Sequence, residues 1–114
     1  MATKKMILDL DTGVDDALAL AYAIADPNID LIGVVASYGN NLLEQTAKNS
    51  LQLLELLGQD VPVFKGLSHS STTDHFTVMQ VSKEIHGNNG IGDISLPEPR
   101  HQVQTKDGID FIIE

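Results

Sequence analysis

Residues 30–37, DLIGVVAS, are almost wholly apolar once past Asp30. A strand with one solvated face alternates polar and apolar side chains. A run apolar on both faces needs cover on both sides, as in a parallel sheet flanked by helices. Met6 to Leu10 reads as a second short buried strand, ended by acidic residues and Gly13, and Val61 to Phe64 as a third. Two helical segments lie between them. One is expected to be capped by Asp15 or Asp16 and to run to about Ala25, where Asp26, Pro27 and Asn28 form a turn. The other runs from about Leu42 to Leu57, with Leu43, Ala47, Leu51, Leu54 and Leu57 at helical spacing, and Gly58 stops it. Strands and helices alternating over short turns imply right-handed β-α-β units and an α/β fold. In such open sheets ligands bind beyond the carboxyl ends of the strands.

That end carries an unusual charge. Residues 9–16, DLDTGVDD, hold four carboxylates, and from Met6 to Ala47 there are seven acidic residues and no Lys or Arg. Asp9 and Asp11, two apart at a strand end, are expected on one side. Asp15 and Asp16 open a helix, where free N–H groups favour negative charge. A cap and a solvated neighbour account for a pair. Four converging carboxylates raise one another's pKa unless a cation intervenes. Oxygen donors of this kind suit Ca²⁺ or Mg²⁺, and Ca²⁺ better tolerates bidentate, irregular coordination.

Composition excludes other classes. A formal charge of −9, from 16 acidic and 7 basic residues, argues against non-specific binding to nucleic acid or an anionic membrane. Cysteine is absent, so there are no disulfides or thiolate metal sites. No apolar run approaches the ~20 residues that cross a bilayer. MATKKMILDL reaches Asp9 too soon for a signal peptide. A cytoplasmic location is the expectation.

From Lys65 to about Thr105 the pattern weakens, with a short helix expected near Thr77 to Ile85. HGNNGIG (86–92) and LPEP (96–99) cannot be regular structure, and so long a stretch is uncommon unless it serves a site. The final DGIDFIIE reads as a helix beginning, and its stop on an apolar helical face suggests truncation.

Three families place an acidic cluster after a first strand. Haloacid-dehalogenase-like phosphatases run a strand into D-x-D followed two residues later by Thr or Val. Asp9 as nucleophile and Asp11 as acid/base would fit a Mg²⁺ phosphatase, but Gly13 stands at the Thr/Val position. Response-regulator receivers need an Asp after the third strand, where this chain has Phe64, Lys65 and Gly66. DLDTGVDDAL (9–18) resembles the D-x-D-x-G-x-D-D-A signature of the nucleoside hydrolases, the inosine-uridine-preferring N-ribohydrolase family. The likeness continues through LIGVVASYGN (31–40), the helix from Leu43 to Gly58, VPV (61–63) with Gly66, and IHGNNGIG (85–92). One departure is Thr12, where the family usually has Pro.

The resemblance implies an open, mostly parallel, Rossmann-like sheet of nucleoside hydrolase type, with residues 1–114 as the N-terminal part of a single domain. It implies hydrolysis of the N-glycosidic bond of a ribonucleoside, aided by Ca²⁺, with Mg²⁺ second. Asp11 would ligate the metal and serve as general base, and Asp16 would be a second ligand. Asp15, Asn40 and His86 would contact substrate, and Asp9 would support this shell from behind. The glycines after His86 would give a closing loop its mobility. His69, His75 and His101 carry no such support. Family members are more than twice as long, so this chain alone is expected to be inactive or nearly so. It would have an open sheet edge and an unshielded apolar face. Dimers or tetramers are usual for such enzymes, so a homo-oligomer is implied. The competing expectation is a non-catalytic, cation-binding or self-associating fragment.

Overall fold

Three parallel strands and two crossover helices make up the first half of the molecule in the computed structural model, which describes residues 4–113. They are β1 (Lys4–Leu10), α1 (Val14–Ala25), β2 (Ile29–Ala36), α2 (Leu43–Leu56) and β3 (Val63–Lys65), followed by α3 (Gln80–His86) and α4 (Gly108–Ile113). β2 lies between β1 and β3. Leu10 pairs with Ala36, and Ala36 with Lys65, so the three strands end level. Asp11, Ser37 and Gly66 therefore leave the sheet side by side.

Val34, Ala36 and Val63 share one buried cluster with Leu10, Leu20, Leu43, Ala47, Leu51 and Leu54. Both crossover helices thus cover the same face, as right-handed connections in the order 1-2-3 require. The opposite face takes α4. Its Phe111 ring stacks on Phe64 with centroids 3.9 Å apart and lies over Gly33. An irregularity leaves Ile32 without a partner, since Met6 pairs with Leu31 and Ile7 with Gly33. This bulge sets which β2 side chains face α4.

The α/β reading and the alternation of elements hold, with shifted boundaries. β3 starts at Val63 because Pro62 has no N–H; its carbonyl instead accepts from Val34 N–H at 3.0 Å. α3 starts at Gln80, not Thr77, since β-branched Thr77 and Val78 disfavour a first helical turn. It includes His86 and ends where Gly87 adopts φ +82°. The cap expectation needs correction: the residue before the first turn of α1 is Gly13, with Asp15 and Asp16 already helical.

Residues 96–104 form a strap rather than an element. Gln52 Nε2 donates to the carbonyls of Leu96 (3.3 Å) and Pro97 (3.0 Å). The Glu55 carboxylate accepts from Arg100 N–H at 2.9 and 2.8 Å, which is the main reason its pKa is lowered. On the outer side of α1, Val14, Leu18 and Tyr22 are 48, 74 and 69% exposed at four-residue spacing, an unshielded apolar stripe. Among the described residues no helix is long and apolar enough to cross a membrane.

The contact of Phe111 with Gly33 yields a prediction. A Cβ at Gly33 would lie 2.5 Å from two atoms of the Phe111 ring. Exchanging Gly for Ala inside a strand ordinarily stabilises by about 0.5–1 kcal/mol. Here Gly33→Ala is expected to destabilise by about 1–3 kcal/mol through overpacking. Urea unfolding measures it; a neutral or stabilising result would mean that α4 does not seat on this face.

Candidate functional site

Asp11 is the first residue past β1, and the turn after β2 grips it at two points. Asn40 N–H donates to Asp11 Oδ2 at 3.0 Å, and Asn40 Nδ2 donates to the Asp11 carbonyl at 3.3 Å. Gly39 packs so closely that a Cβ there would collide with the Asp11 carboxylate, which is why glycine precedes Asn40.

Asp16 reaches the same place from α1. At the third helical position, its Oδ2 accepts from Gly13 N–H at 3.3 Å, the reaching-back half of a capping box. Its carboxyl pKa is pushed up to about 6. Burial is the largest cause and a hydrogen bond with the Asp11 carboxyl the next; the Gly13 N–H pulls the other way, and the charges of Asp11 and Asp15 add to the rise. Asp16 therefore ionises less readily than an ordinary carboxyl, in the setting where a nearby cation would favour its charged form.

His86, with only 13% of its side chain exposed, accepts from Val14 N–H at 3.0 Å through Nδ1 and so caps the first turn of α1. A nitrogen accepting that bond carries no proton, so the neutral ring bears its N–H on Nε2. Asp15 Oδ1 lies 4.0 Å from the same Nδ1, too far for a hydrogen bond, and its side chain is 78% exposed. A Cβ on Gly13 would sit 2.6 Å from both Asn40 Nδ2 and His86 Nδ1. Asn40 and His86 thus converge on the turn that carries the acidic pair.

The expected gathering of four carboxylates contracts to two. Among the described residues, no group of three or more His, Asp or Glu side chains is assembled to hold a metal. Asp9 accepts from Ser37 Oγ at 2.6 Å and lines a groove with Val35, Tyr38, Leu67, Ile109 and Ile112. Asp15 stands at the rim. Of the four, Asp11 and Asp16 lie within hydrogen-bonding reach of each other, and they offer oxygen donors of the type a hard divalent cation takes.

The glycine loop is more firmly held than its composition suggests. Gly90 and Ile91 are buried, and Asn88 and Asn89 give their carbonyls to Asn41 Nδ2 (2.9 Å) and Asn49 Nδ2 (2.7 Å). Thr12, at the position where Pro was expected, is fully buried and shares a 2.7 Å hydrogen bond with Ser50 Oγ. Asn41, Thr46, Asn49 and Ser50 support the site from outside the acidic signature. Their signal is polarity: Thr46, Asn49 and Ser50 lie on the buried side of α2 among Ala47, Leu51 and Leu54.

The sequence matches the family described as inosine-uridine preferring nucleoside hydrolase over residues 6–114. It is 56% identical over 93 residues to an uncharacterised protein from the ribF 3′ region of Corynebacterium ammoniagenes, covering 81% of this chain and 97% of that one. It is 35% identical over 112 residues to probable uridine nucleosidase 2 of Arabidopsis thaliana, covering 97% of this chain and 34% of that one. The fold superposes on a purine-preferring ribonucleoside hydrolase from Gardnerella vaginalis with a TM-score of 0.95 at 51% identity, covering 96% of this chain and 35% of that one. A plant nucleoside hydrolase gives a TM-score of 0.87 at 31% identity, covering 96% and 34%. The chain thus spans about a third of the length of these named hydrolases.

The raised pKa of Asp16 has a consequence for stability. Because its folded value of about 6 lies above the ordinary 3.8, ionised Asp16 opposes folding. The penalty is absent below pH 4, grows through pH 4–6 and is complete above it. With solvent screening of this half-exposed group, Asp16→Asn is expected to stabilise the chelator-treated protein by about 1 kcal/mol at pH 7.5. At pH 3.5 the difference should vanish. Urea unfolding at the two pH values checks this, and a less stable variant at pH 7.5 would contradict it.

Proposed function

The chain belongs to the inosine-uridine preferring nucleoside hydrolase family, and from that premise we propose that it supplies the acidic part of a site that hydrolyses the N-glycosidic bond of a ribonucleoside. The products are ribose and a free base. The observation that carries this reading is the Asp11–Asp16 pair, with Asp11 clasped by Asn40 and Asp16 reaching back to Gly13 N–H. Membership in the family displaces the phosphatase alternative built on Asp9 and Asp11.

Asp11 and Asp16 would hold Ca²⁺, preferred over Mg²⁺ because a carboxylate pair at a turn tolerates irregular coordination. When bound, the cation would orient ribose hydroxyls and make a water more acidic. Asp11 acts as general base toward the attacking water, its free oxygen aimed by the Asn40 N–H bond to the other. The exposed Asp15 at the rim accepts hydrogen bonds from ribose hydroxyls. Asn40 adds a neutral polar contact, and Nε2–H of His86 is left to face substrate while Nδ1 caps α1. Asp9, bound by Ser37, acts from behind the turn. The reading makes residues 1–114 the N-terminal part of one hydrolase domain. The remaining metal donors and the groups that choose and protonate the base belong to the part of the relatives this chain does not span. A cytoplasmic homo-oligomer is the setting that goes with this reading.

A chimera tests it. With residues 4–113 grafted in place of the matching third of the Gardnerella vaginalis hydrolase, ribose release from inosine or uridine is expected. Asp11→Asn in that chimera should lower the rate roughly 10²- to 10⁴-fold, as for loss of a general base. Full activity in the Asp11→Asn chimera would remove the assigned base. The 114-residue chain alone should release little or no ribose; robust turnover by it would overturn the view that the site is shared with further residues.

A further inference from the structure

The acidic turn and the glycine loop meet at one buried side chain. Asn49, in the second turn of α2, is fully buried. Its Nδ2 donates to two carbonyls, Thr12 O at 3.3 Å and Asn89 O at 2.7 Å. Its Oδ1 accepts from Gln45 Nε2 at 2.8 Å, one helical turn earlier, which sets the amide so that both its protons point at those carbonyls. Gly90 closes the arrangement. It has φ +87°, and a Cβ there would come within 3.1 Å of Asn49 Nδ2 and 3.3 Å of Thr12 O.

The Thr12 carbonyl is one end of a peptide unit whose other end is the N–H of Gly13. That N–H donates to Asp16 Oδ2, and the next amide, Val14 N–H, donates to His86 Nδ1. A peptide is planar, so a bond to its carbonyl fixes the direction of its N–H. The same bond polarises the unit and strengthens what the N–H donates. On the other arm, Asn89 lies three residues beyond His86, in a loop closed by Gly92 N–H to the His86 carbonyl at 2.7 Å.

We propose that Asn49 is a positioning residue: through the Thr12–Gly13 peptide it aims the Asp16 carboxylate, and through Asn89 it locks the His86 loop to the same turn. It touches neither cation nor substrate. The proposal rests on the cation reading of the Asp11–Asp16 pair. Its geometric part is testable without that reading.

Site-resolved amide exchange on the 114-residue chain provides the test. In Asn49→Ala and the near-isosteric Asn49→Asp, which cannot donate, Gly13, Val14 and Gly92 should lose protection together, by at least tenfold. Val34 and Val35 in β2 should keep theirs. Gln52→Ala, which frees the neighbouring strap, should leave Gly13 and Val14 unchanged. Unchanged Gly13 and Val14 in the Asn49 variants, or an equal loss at every amide, would overturn the proposal. If neither variant folds, the wild-type side-chain amide of Asn49 decides: slow exchange of both its protons supports the proposal, and exchange at the free-amide rate overturns it. Calorimetry with Ca²⁺ separates the two layers. If the wild type binds, Asn49→Ala should weaken binding roughly 10- to 100-fold, as for removal of a supporting partner, with Gln52→Ala unchanged. Undiminished affinity in Asn49→Ala would overturn the positioning role. No binding by the wild type would overturn the cation reading and leave exchange to judge Asn49.

Discussion

Two carboxyl groups held in contact repel once both are ionised, and the carboxyl end of this sheet is organised around that repulsion. Level strand ends bring the turn after β1 beside the turn after β2. Backbone amides do most of the holding, Asn40 N–H on Asp11 and Gly13 N–H on Asp16. No lysine or arginine occurs between Met6 and Ala47 to neutralise the pair. What remains is a carboxyl, Asp16, whose pKa is raised to about 6, in keeping with the proposed cation site.

Holding like charges together needs a stiff frame, and the frame is polar. Thr12, Thr46, Asn49 and Ser50 are all fully buried and joined by hydrogen bonds from α2 to the acidic turn. Thr46 Oγ1 reaches the Ser37 carbonyl at 2.8 Å, tying the end of β2 into the same frame. Among the described residues, no buried side-chain nitrogen or oxygen lacks a partner. A network so fully satisfied favours one arrangement of its backbone over near alternatives. The other end of α2 is apolar or turned toward the 96–104 strap. One helix thus serves the site through Thr46, Asn49 and Ser50 and the core through Leu43, Ala47, Leu51 and Leu54.

Much of this was readable from the residue order. Sequence patterning anticipated all seven elements, α3 and α4 with less definite bounds, and the family likeness over 9–18, 31–40 and 85–92 pointed to Asp11, Asp16, Asn40 and His86 as neighbours. The errors have physical causes. Alternation puts Asp9 and Asp11 on one side but does not give their partners, since β1 ends at Leu10 with Asp9 inside it and Asp11 beyond. Asp9 therefore bonds Ser37 while Asp11 is gripped by Asn40. Asp15 and Asp16 looked like alternative caps; Gly13 took that position because Asn40 and His86 leave no room for a side chain there. The buried polar face of α2 escaped notice because helical spacing was judged on apolar residues alone.

The central proposal is that Asp11 and Asp16 together hold a divalent cation, with the pKa of Asp16 raised above the ordinary carboxylate range in its absence. The most direct measurement is a carboxyl-carbon NMR titration of Asp16, in chelator and then in saturating Ca²⁺. In chelator Asp16 is expected to titrate at about pH 6. With Ca²⁺ the transition should move to lower pH and the proton should be released on binding. An Asp16 transition in the ordinary carboxylate range, unmoved by Ca²⁺, would contradict it.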